Sequence, residues 1–334
     1  MQHLLEAARR PSAEYGGRLA NHLPMALIAL ARMGAPAARL DAFAAAYAAR
    51  KVLRPLPAAG PALTAASWPA ALGDTAAEGP ARGYFRGALA QAGRDRVLRG
   101  HLPALLPGLG GSAFHALIRT AYAVECGDDA ELAAALAYWT MSHLPLGEPA
   151  AGAAAEADPL RLLAELRAAL DGRIGGVEGP TIFARMALAA RLPGFAPVVD
   201  RLAVGVDGLP VLAAAAVALF AHTADFTALH MMTALHALRL LLPWVEDRPG
   251  ALRQAWRALA AAYVAAAMPP LPTADALDVL RRRAAPGWPD ILAAASASDD
   301  EHVVKAAYTA WQEDSVRADP LYRVAAARYA GLIA

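Results

Sequence analysis

Apolar residues recur three and four positions apart along most of the chain, and clusters of Gly, Pro and small polar residues interrupt them. This spacing places the apolar side chains on one face of an α-helix. Asn21, Ser112 and either Thr223 or Asp225 stand where they can cap three of the helices. The pattern predicts helices over residues 24–32, 40–53, 84–98, 113–126, 131–142, 160–170, 182–190, 210–221, about 225–242, 251–267, 273–283, 290–297, 301–314 and 322–330.

The sequence carries no strand signal: no run alternates apolar and polar residues, and no Asn-Gly hairpin turn occurs. It has no fixed-period repeat either. Pro and Gly predict loops at residues 55–65 and 103–111, and an exposed excursion at 145–158. We therefore expect one all-α domain over residues 1–334, a non-repeat helical bundle of a dozen or more helices. A division into two domains near 145–158 is the alternative.

Composition favours a helical protein of the cytoplasm over a membrane protein. Hydrophobic residues make up 57% of the chain, but alanine, the best helix former, inflates that figure. The longest apolar run, residues 209–220, is shorter than the roughly 20 residues that cross a bilayer. The N-terminus lacks a signal-peptide pattern, and the single cysteine, Cys126, suits a reducing compartment.

The charge balance gives no indication of a nucleic-acid partner. The formal net charge is +1, and the longest basic block, residues 281–283, is typical of a solvated helix face.

Lysine is rare: of the 31 Lys and Arg residues, only Lys51 and Lys305 are lysines. A lysine kept in such a chain is a candidate for amine chemistry, because Lys can lose its proton in a protein and Arg cannot. Lys305 follows His302 by three residues, about 300° around a helix, so the two side chains share a face. Reaction of the amine with carbon dioxide would give a carbamate, a carboxylate-type metal ligand. The alternative is a surface lysine in an ion pair with Glu301.

Histidines form a second set of candidates, although any one buried histidine is more often a hydrogen-bonded core residue. His22 and His115 stand at or near the starts of apolar helices. His230 and His236 lie on one helix about 240° apart, so only one of them can point at a given centre. Imidazoles that converge suit Fe, Zn, Cu or Ni, and a carbamate on Lys305 would balance the metal charge.

Motifs of several other site types are missing. The sequence contains no His-Glu-x-x-His, Cys-x-x-Cys, P-loop, Gly-x-Gly-x-x-Gly or Gly-x-Ser-x-Gly pattern. A flavin or nicotinamide bound on a Rossmann fold is therefore not expected.

Four stretches resemble the questin oxidase-like family in order and approximate spacing, over about residues 15–325. They are residues 21–25, 105–119, 132–139 and 300–305, of which Phe-His-x-Leu-Ile-Arg (114–119) and His-x-x-Lys (302–305) are the most specific. The chain departs from the family pattern at Leu23, where we would expect Gly before Pro24.

The resemblance implies an all-α, non-haem iron oxygenase. Fungal relatives open the rings of polyketide anthraquinones and related aromatics in Baeyer–Villiger-like oxidations. Fe(II) is the expected metal and Zn the alternative, and NADPH is suggested by the resemblance alone. Carried over by position, the implied ligands are His22, His115, His230, His302 and a modified Lys305, with His236 as the substitute for His230.

The expected partners are dioxygen and an aromatic, polyketide- or quinone-like substrate. Arg119, one turn after His115, is the candidate to pair with a substrate phenolate or carboxylate; ion pairing with Glu125 or Asp128 is its alternative. The side chains expected to line the substrate cavity, with core packing as the alternative, are Phe114, Tyr122, Trp139, Met231, Met232, Tyr308 and Trp311. Two rival functions remain: a metal-dependent hydrolase on the same ligands, and a non-enzymatic helical scaffold.

Overall fold

The computed structural model describes residues 1–57, 60–149, 156–205 and 208–334. In these ranges α-helices build the fold, which confirms the all-α prediction. The helices are α1 (Gln2–Arg9), α2 (Leu23–Arg32), α3 (Ala37–Arg50), α4 (Glu78–Leu105), α5 (His115–Cys126), α6 (Asp129–Ser142), α7 (Pro159–Ala169), α8 (Ile182–Ala189), α9 (Phe195–Val199), α10 (Leu209–Thr223), α11 (Phe226–Leu241), α12 (Arg248–Ala265), α13 (Ala274–Arg281), α14 (Trp288–Ala297), α15 (Glu301–Val316) and α16 (Pro320–Tyr329).

Aspartate fixes the start of many of these helices. Asp225, rather than Thr223, caps α11, and its carboxylate accepts the N–H groups of Thr227 and Ala228. Such a cap satisfies a backbone donor that the helix leaves unpaired, and contributes about 1 kcal/mol. The same role falls to Asp128, Asp158, Asp247, Asp300 and Asp319.

One short hairpin departs from the expectation of no strands. Strand β1 (Glu14–Tyr15) pairs antiparallel with β2 (Leu19–Ala20). Gly16 and Gly17 form its turn with positive φ angles of 35° and 74°. Strands of two residues are too short to produce an alternating pattern, so the sequence could not reveal them.

The region from 78 to 114 also differs from its prediction. Helix α4 is longer than expected. It is kinked at Gly93, whose φ of 76° and ψ of 165° are not helical, and it continues through Pro103. The expected loop at 103–111 is therefore the end of α4, followed by 3₁₀ turns at Leu106–Gly108 and Gly111–Phe114. Of the expected excursion at 145–158, residues 150–155 lie outside the described residues.

Four helices near the centre form a ring: α2 packs on α5, α5 on α11, α11 on α15, and α15 on α2. Helix α5 is buried over its first nine residues, and α11 over most of its length. The ring brings the first turns of four helices into one neighbourhood. Among the described helices, none is both long enough and apolar enough to cross a bilayer.

A buried ion pair joins α5 to α6. Arg119 donates to Glu131 twice, from Nε to Oε1 at 2.6 Å and from a terminal nitrogen to Oε2 at 3.1 Å, and both side chains are almost fully buried. The partners expected for Arg119 were therefore wrong: Glu125 pairs with Arg32 instead, and Asp128 with Arg9. Arg119 has a structural partner, which leaves no free charge for a substrate.

Replacing Glu131 with alanine should destabilise the protein by about 3–5 kcal/mol, because the guanidinium of Arg119 would stay buried without a counter-charge. Urea unfolding followed by circular dichroism measures the loss. The control is Glu6→Ala, which removes an exposed ion pair with Arg10 and should cost less than about 1 kcal/mol. Equal small losses in the two variants would contradict this account.

Candidate metal centre

Four histidines converge where the helices of the ring begin. His22 immediately precedes α2, His115 is the first residue of α5, His230 lies one turn into α11, and His302 is the second residue of α15. Each offers one ring nitrogen, and these four nitrogens all lie within 4.8 Å of one another. His22, His115 and His230 are buried, and His302 is partly exposed.

The closest contacts join like atoms of neighbouring rings. His115 Nε2 lies 2.8 Å from His22 Nε2 and 3.2 Å from His230 Nε2. The ring of His302 completes the group, with its centroid 4.7 Å from that of His22. The Nε2 atoms of three rings therefore share one small volume.

Hydrogen bonds on the outer side of the cluster set the tautomers. The Nδ1–H of His115 donates to the carbonyl of Ser112 at 2.5 Å, and that of His230 donates to the carbonyl of Phe226 at 2.7 Å. His302 Nδ1 lies 3.2 Å from a carboxylate oxygen of Asp300. Carbonyls and carboxylates only accept, so Nδ1 carries the proton in these rings and Nε2 presents a lone pair inward.

The imidazoles are held neutral. Burial lowers the pKa of His22, His115 and His230 well below the usual value, and the nearby charge of Lys305 lowers each further. Burial also lowers the pKa of His302, although Asp300 partly opposes the shift. Neutral imidazole is the form that binds a metal.

This arrangement is compatible with a bound metal ion. Two Nε2 acceptors 3.2 Å apart repel each other, and the Nε2 of His302 has no hydrogen-bond partner among the described residues. A cation among the four nitrogens would turn this repulsion into ligation, and the outer acceptors resemble those that orient metal-binding histidines in general.

Lys305 lies in the same neighbourhood and is fully buried. The alternative of a surface lysine in an ion pair with Glu301 is wrong, because Lys305 is buried and Glu301 pairs with Lys51 at 3.4 Å. Within the described part of the chain Nζ of Lys305 has no hydrogen-bond partner. Burial lowers the pKa of Lys305 to about 7, and Glu301 and Asp300 only partly offset the effect.

His236 lies outside the cluster, so its role as the substitute for His230 was wrong. Its Nδ1 contacts Oε1 of Glu313 at 2.7 Å, and Arg239 donates to the same carboxylate oxygen at 2.7 Å. The angle between positions 230 and 236 on α11 accounts for the separation.

A cavity of about 520 Å³ opens beside the cluster and reaches His22, His115 and His302. Its aromatic walls come from Tyr15 of the hairpin, Phe183 of α8 and Phe226 of α11. Its charged side chains are Arg18, Lys51, Arg185, Asp225 and Glu301. A larger groove of about 720 Å³ lies against α4, where His101 is the one histidine among its described lining residues.

The side chains that were expected to line a cavity pack elsewhere. Tyr122 is buried with its hydroxyl 3.2 Å from Thr309, and Tyr308 donates to Glu125 at 2.5 Å. Large side chains on central helices fill the core by default, which is the alternative that the sequence left open. None of the seven predicted residues is among the described side chains that line this cavity: Phe114, Tyr122, Trp139, Met231, Met232, Tyr308 and Trp311.

The residues that the sequence analysis missed come from segments far apart in the chain. Lys51 carried a usable signal, since it is one of only two lysines in the sequence. The hairpin and the start of α8 carried none, because only the tertiary fold places Tyr15, Phe183 and Arg185 around one space.

Comparison with known protein families agrees with the geometry. The model of the family described as Questin oxidase-like matches residues 19–310. The chain therefore belongs to the questin oxidase-like family, and the resemblance seen in the sequence is confirmed. No curated protein was found to match the chain. Membership indicates an oxidoreductase, and the four histidines are compatible with a bound metal ion.

We expect His115→Gln to abolish metal binding, because Nε2 of His115 stands between two other ring nitrogens. The matched control is His236→Gln, which removes a buried histidine outside the cluster and should retain the metal. Metal content by plasma mass spectrometry on anaerobically purified protein measures both. Equal metal content in the two variants would contradict the assignment.

Stability of the chelator-treated protein should fall as the pH drops below about 6.5, the ordinary pKa of histidine. The lowered pKa values mean that the unfolded chain binds protons there while the folded chain does not, so stability rises with pH in this window. Three such histidines give a slope of up to about 4 kcal/mol per pH unit. Urea titrations between pH 7.5 and 5.5 measure it, and His115→Gln should lower the slope by about 1.4 kcal/mol per pH unit. An unchanged slope in that variant would count against a buried neutral imidazole at position 115.

Proposed function

We propose that this member of the questin oxidase-like family is a non-haem iron oxygenase that acts on an aromatic, polyketide- or quinone-like small molecule. The observation that carries the proposal is the convergence of four imidazole nitrogens within 4.8 Å beside a cavity with aromatic walls. Family membership supplies the redox class, and the donor atoms suit iron among other transition metals.

The chain's own residues hold the ligands in place. The Nδ1 atoms of three histidines contact fixed acceptors. These acceptors are the carbonyl of Ser112 for His115, the carbonyl of Phe226 for His230 and the carboxylate of Asp300 for His302. Tyr47 accepts the backbone N–H of His22 at 2.9 Å. When bound, iron would supply activation of dioxygen toward the substrate. The protein's part is to fix the four imidazoles before substrate arrives, so that no reorganisation is needed.

Lys305 is proposed as the source of an anionic ligand. With a pKa of about 7 its amine is partly neutral at physiological pH, and a neutral amine attacks carbon dioxide. The new bond joins Nζ to the carbon, one proton leaves to solvent, and a carbamate with two oxygens remains. Arginine cannot follow this route, since it keeps its proton. The buried Nζ, which has no described hydrogen-bond partner, gives the modification a structural reason.

Substrate would occupy the cavity that reaches His22, His115 and His302. About 520 Å³ is within the usual range for sites that enclose small molecules. Tyr15, Phe183 and Phe226 supply ring surfaces against which an aromatic compound can pack. Electrons, where the reaction needs them, would come from an external reductant such as NADPH.

Iron-loaded wild type should consume dioxygen in the presence of a polycyclic phenol or quinone from a screening panel, assayed with and without NADPH. His115→Gln should lower the rate by more than about 100-fold, because a ligand matters at least as much as the groups that orient it. His236→Gln is the control and should keep most of the rate. An oxygen electrode follows uptake, and product mass shows whether oxygen is incorporated.

Lys305→Met tests the carbamate in the same preparations. In labelled bicarbonate, carbon-13 NMR should detect a carbamate signal in wild type and lose it in this variant. Stoichiometric zinc with hydrolysis and no oxygen uptake would replace the proposal with a metal-dependent hydrolase. Absence of any metal after reconstitution with Fe(II) and bicarbonate would leave a helical scaffold.

A further inference from the structure

We propose that the substrate is an aromatic acid and that Arg185, on the α8 wall of the cavity, binds its carboxylate. This inference rests on the proposed function, since it names the class of molecule that enters the same cavity. The proposal follows from which charged side chains around the cavity form ion pairs and which do not.

Among the described residues that line the cavity, two of the three with cationic side chains already have a counter-charge. Arg18 Nε donates to Glu14 Oε2 at 3.0 Å, and its guanidinium lies over the ring of Phe183 with 4.6 Å to the centroid. Lys51 Nζ lies 3.4 Å from Glu301 Oε1. Neither cation therefore needs a charge from a ligand.

Arg185 differs from both. No ion pair joins its guanidinium to an acidic residue in the described part of the chain, and its Nε is buried without a hydrogen-bond partner there. A buried N–H with no acceptor is unfavourable, and the cost disappears when an acceptor arrives. The unpaired guanidinium faces a cavity and is thus a position that a ligand can complete.

The protein's own carboxylates in this wall are engaged elsewhere. Glu301 pairs with Lys51, and Asp225 accepts the N–H groups of Thr227 and Ala228 at the start of α11, at 2.8 and 2.9 Å. A ligand can therefore supply the acceptor that no described acidic residue provides. A guanidinium presents two parallel N–H groups, and a carboxylate presents two oxygens at matching spacing.

The position of Arg185 on α8 determines where the carboxylate of the substrate would lie relative to the histidines. Helix α8 packs against the turn at Gly111–Phe114, which immediately precedes His115. A ring that packs on Phe183 and Phe226 with its carboxylate on Arg185 would lie in the same cavity as the histidines. The cavity thus selects for an acidic group on one side of the aromatic system.

The experiment compares 2-naphthoate with its neutral analogue 2-naphthamide by fluorescence titration of the purified 334-residue chain. Wild type should bind the carboxylate at least about tenfold more tightly, the effect of one charge-assisted hydrogen-bonded pair. Arg185→Met should remove that preference while leaving 2-naphthamide binding unchanged, and Arg185→Lys should keep part of it. Arg191→Met is the matched control, because it removes an exposed arginine just beyond α8 and should change neither affinity.

Three results would overturn the proposal: no binding of either probe to wild type, equal weakening of both probes in Arg185→Met, or a carboxylate preference that survives in that variant. A preference that survives in Arg185→Met but disappears in His115→Gln would place the carboxylate on the metal, so the metal centre would stand and the role of Arg185 would fall. A preference that depends on Arg185 in a protein without oxygen uptake would support this site while removing the oxygenase.

Discussion

The structure depends on the burial of several imidazole lone pairs that point at one another. Nε2 of His115 has two other ring nitrogens within 3.2 Å, and the outer nitrogens of His115 and His230 are committed to carbonyl acceptors. The Nε2 atoms of His115 and His230, both without a proton, repel each other unless a cation lies between them. The four-helix ring imposes this contact, because each of its helices delivers one histidine within its first turns. Packing of the surrounding helices holds together a group that is compatible with a bound metal ion.

The four histidines lie near helix N-termini, and this placement affects their protonation. The N-terminus of a helix carries a partial positive charge, so four of them around one point disfavour protonated imidazole and favour an anion. Burial acts in the same direction on the histidine pKa values. Asp225 and Asp300 compensate part of the field as caps of α11 and α15. A carbamate on Lys305 or an acidic substrate would place an anion near these helix N-termini.

Much of the fold could be predicted from the sequence, because helices follow local spacing, whereas the set of four histidines was implied by the resemblance to the questin oxidase-like family. The 3.6-residue period located most helices, and the angle between positions 230 and 236 correctly implied that they could not both face one centre. The identity of the cavity wall could not be predicted, since Phe183 and Tyr15 become neighbours only through tertiary packing. The predicted ion-pair partners of Arg119 were wrong for a similar reason. Its partner Glu131 lies on the next helix, whereas proximity in the sequence favoured Glu125 and Asp128.

Both lysines interact with Glu301. Lys51, just after α3, lies 3.4 Å from Glu301, and that same carboxylate oxygen is 4.0 Å from Nδ1 of His22. Glu301 is also the charge that most raises the pKa of Lys305, one turn along α15. Burial nevertheless lowers the pKa of that amine to about 7. The carboxylate of Glu301 therefore contacts the cation on the cavity wall and also acts on the buried amine beside the histidines.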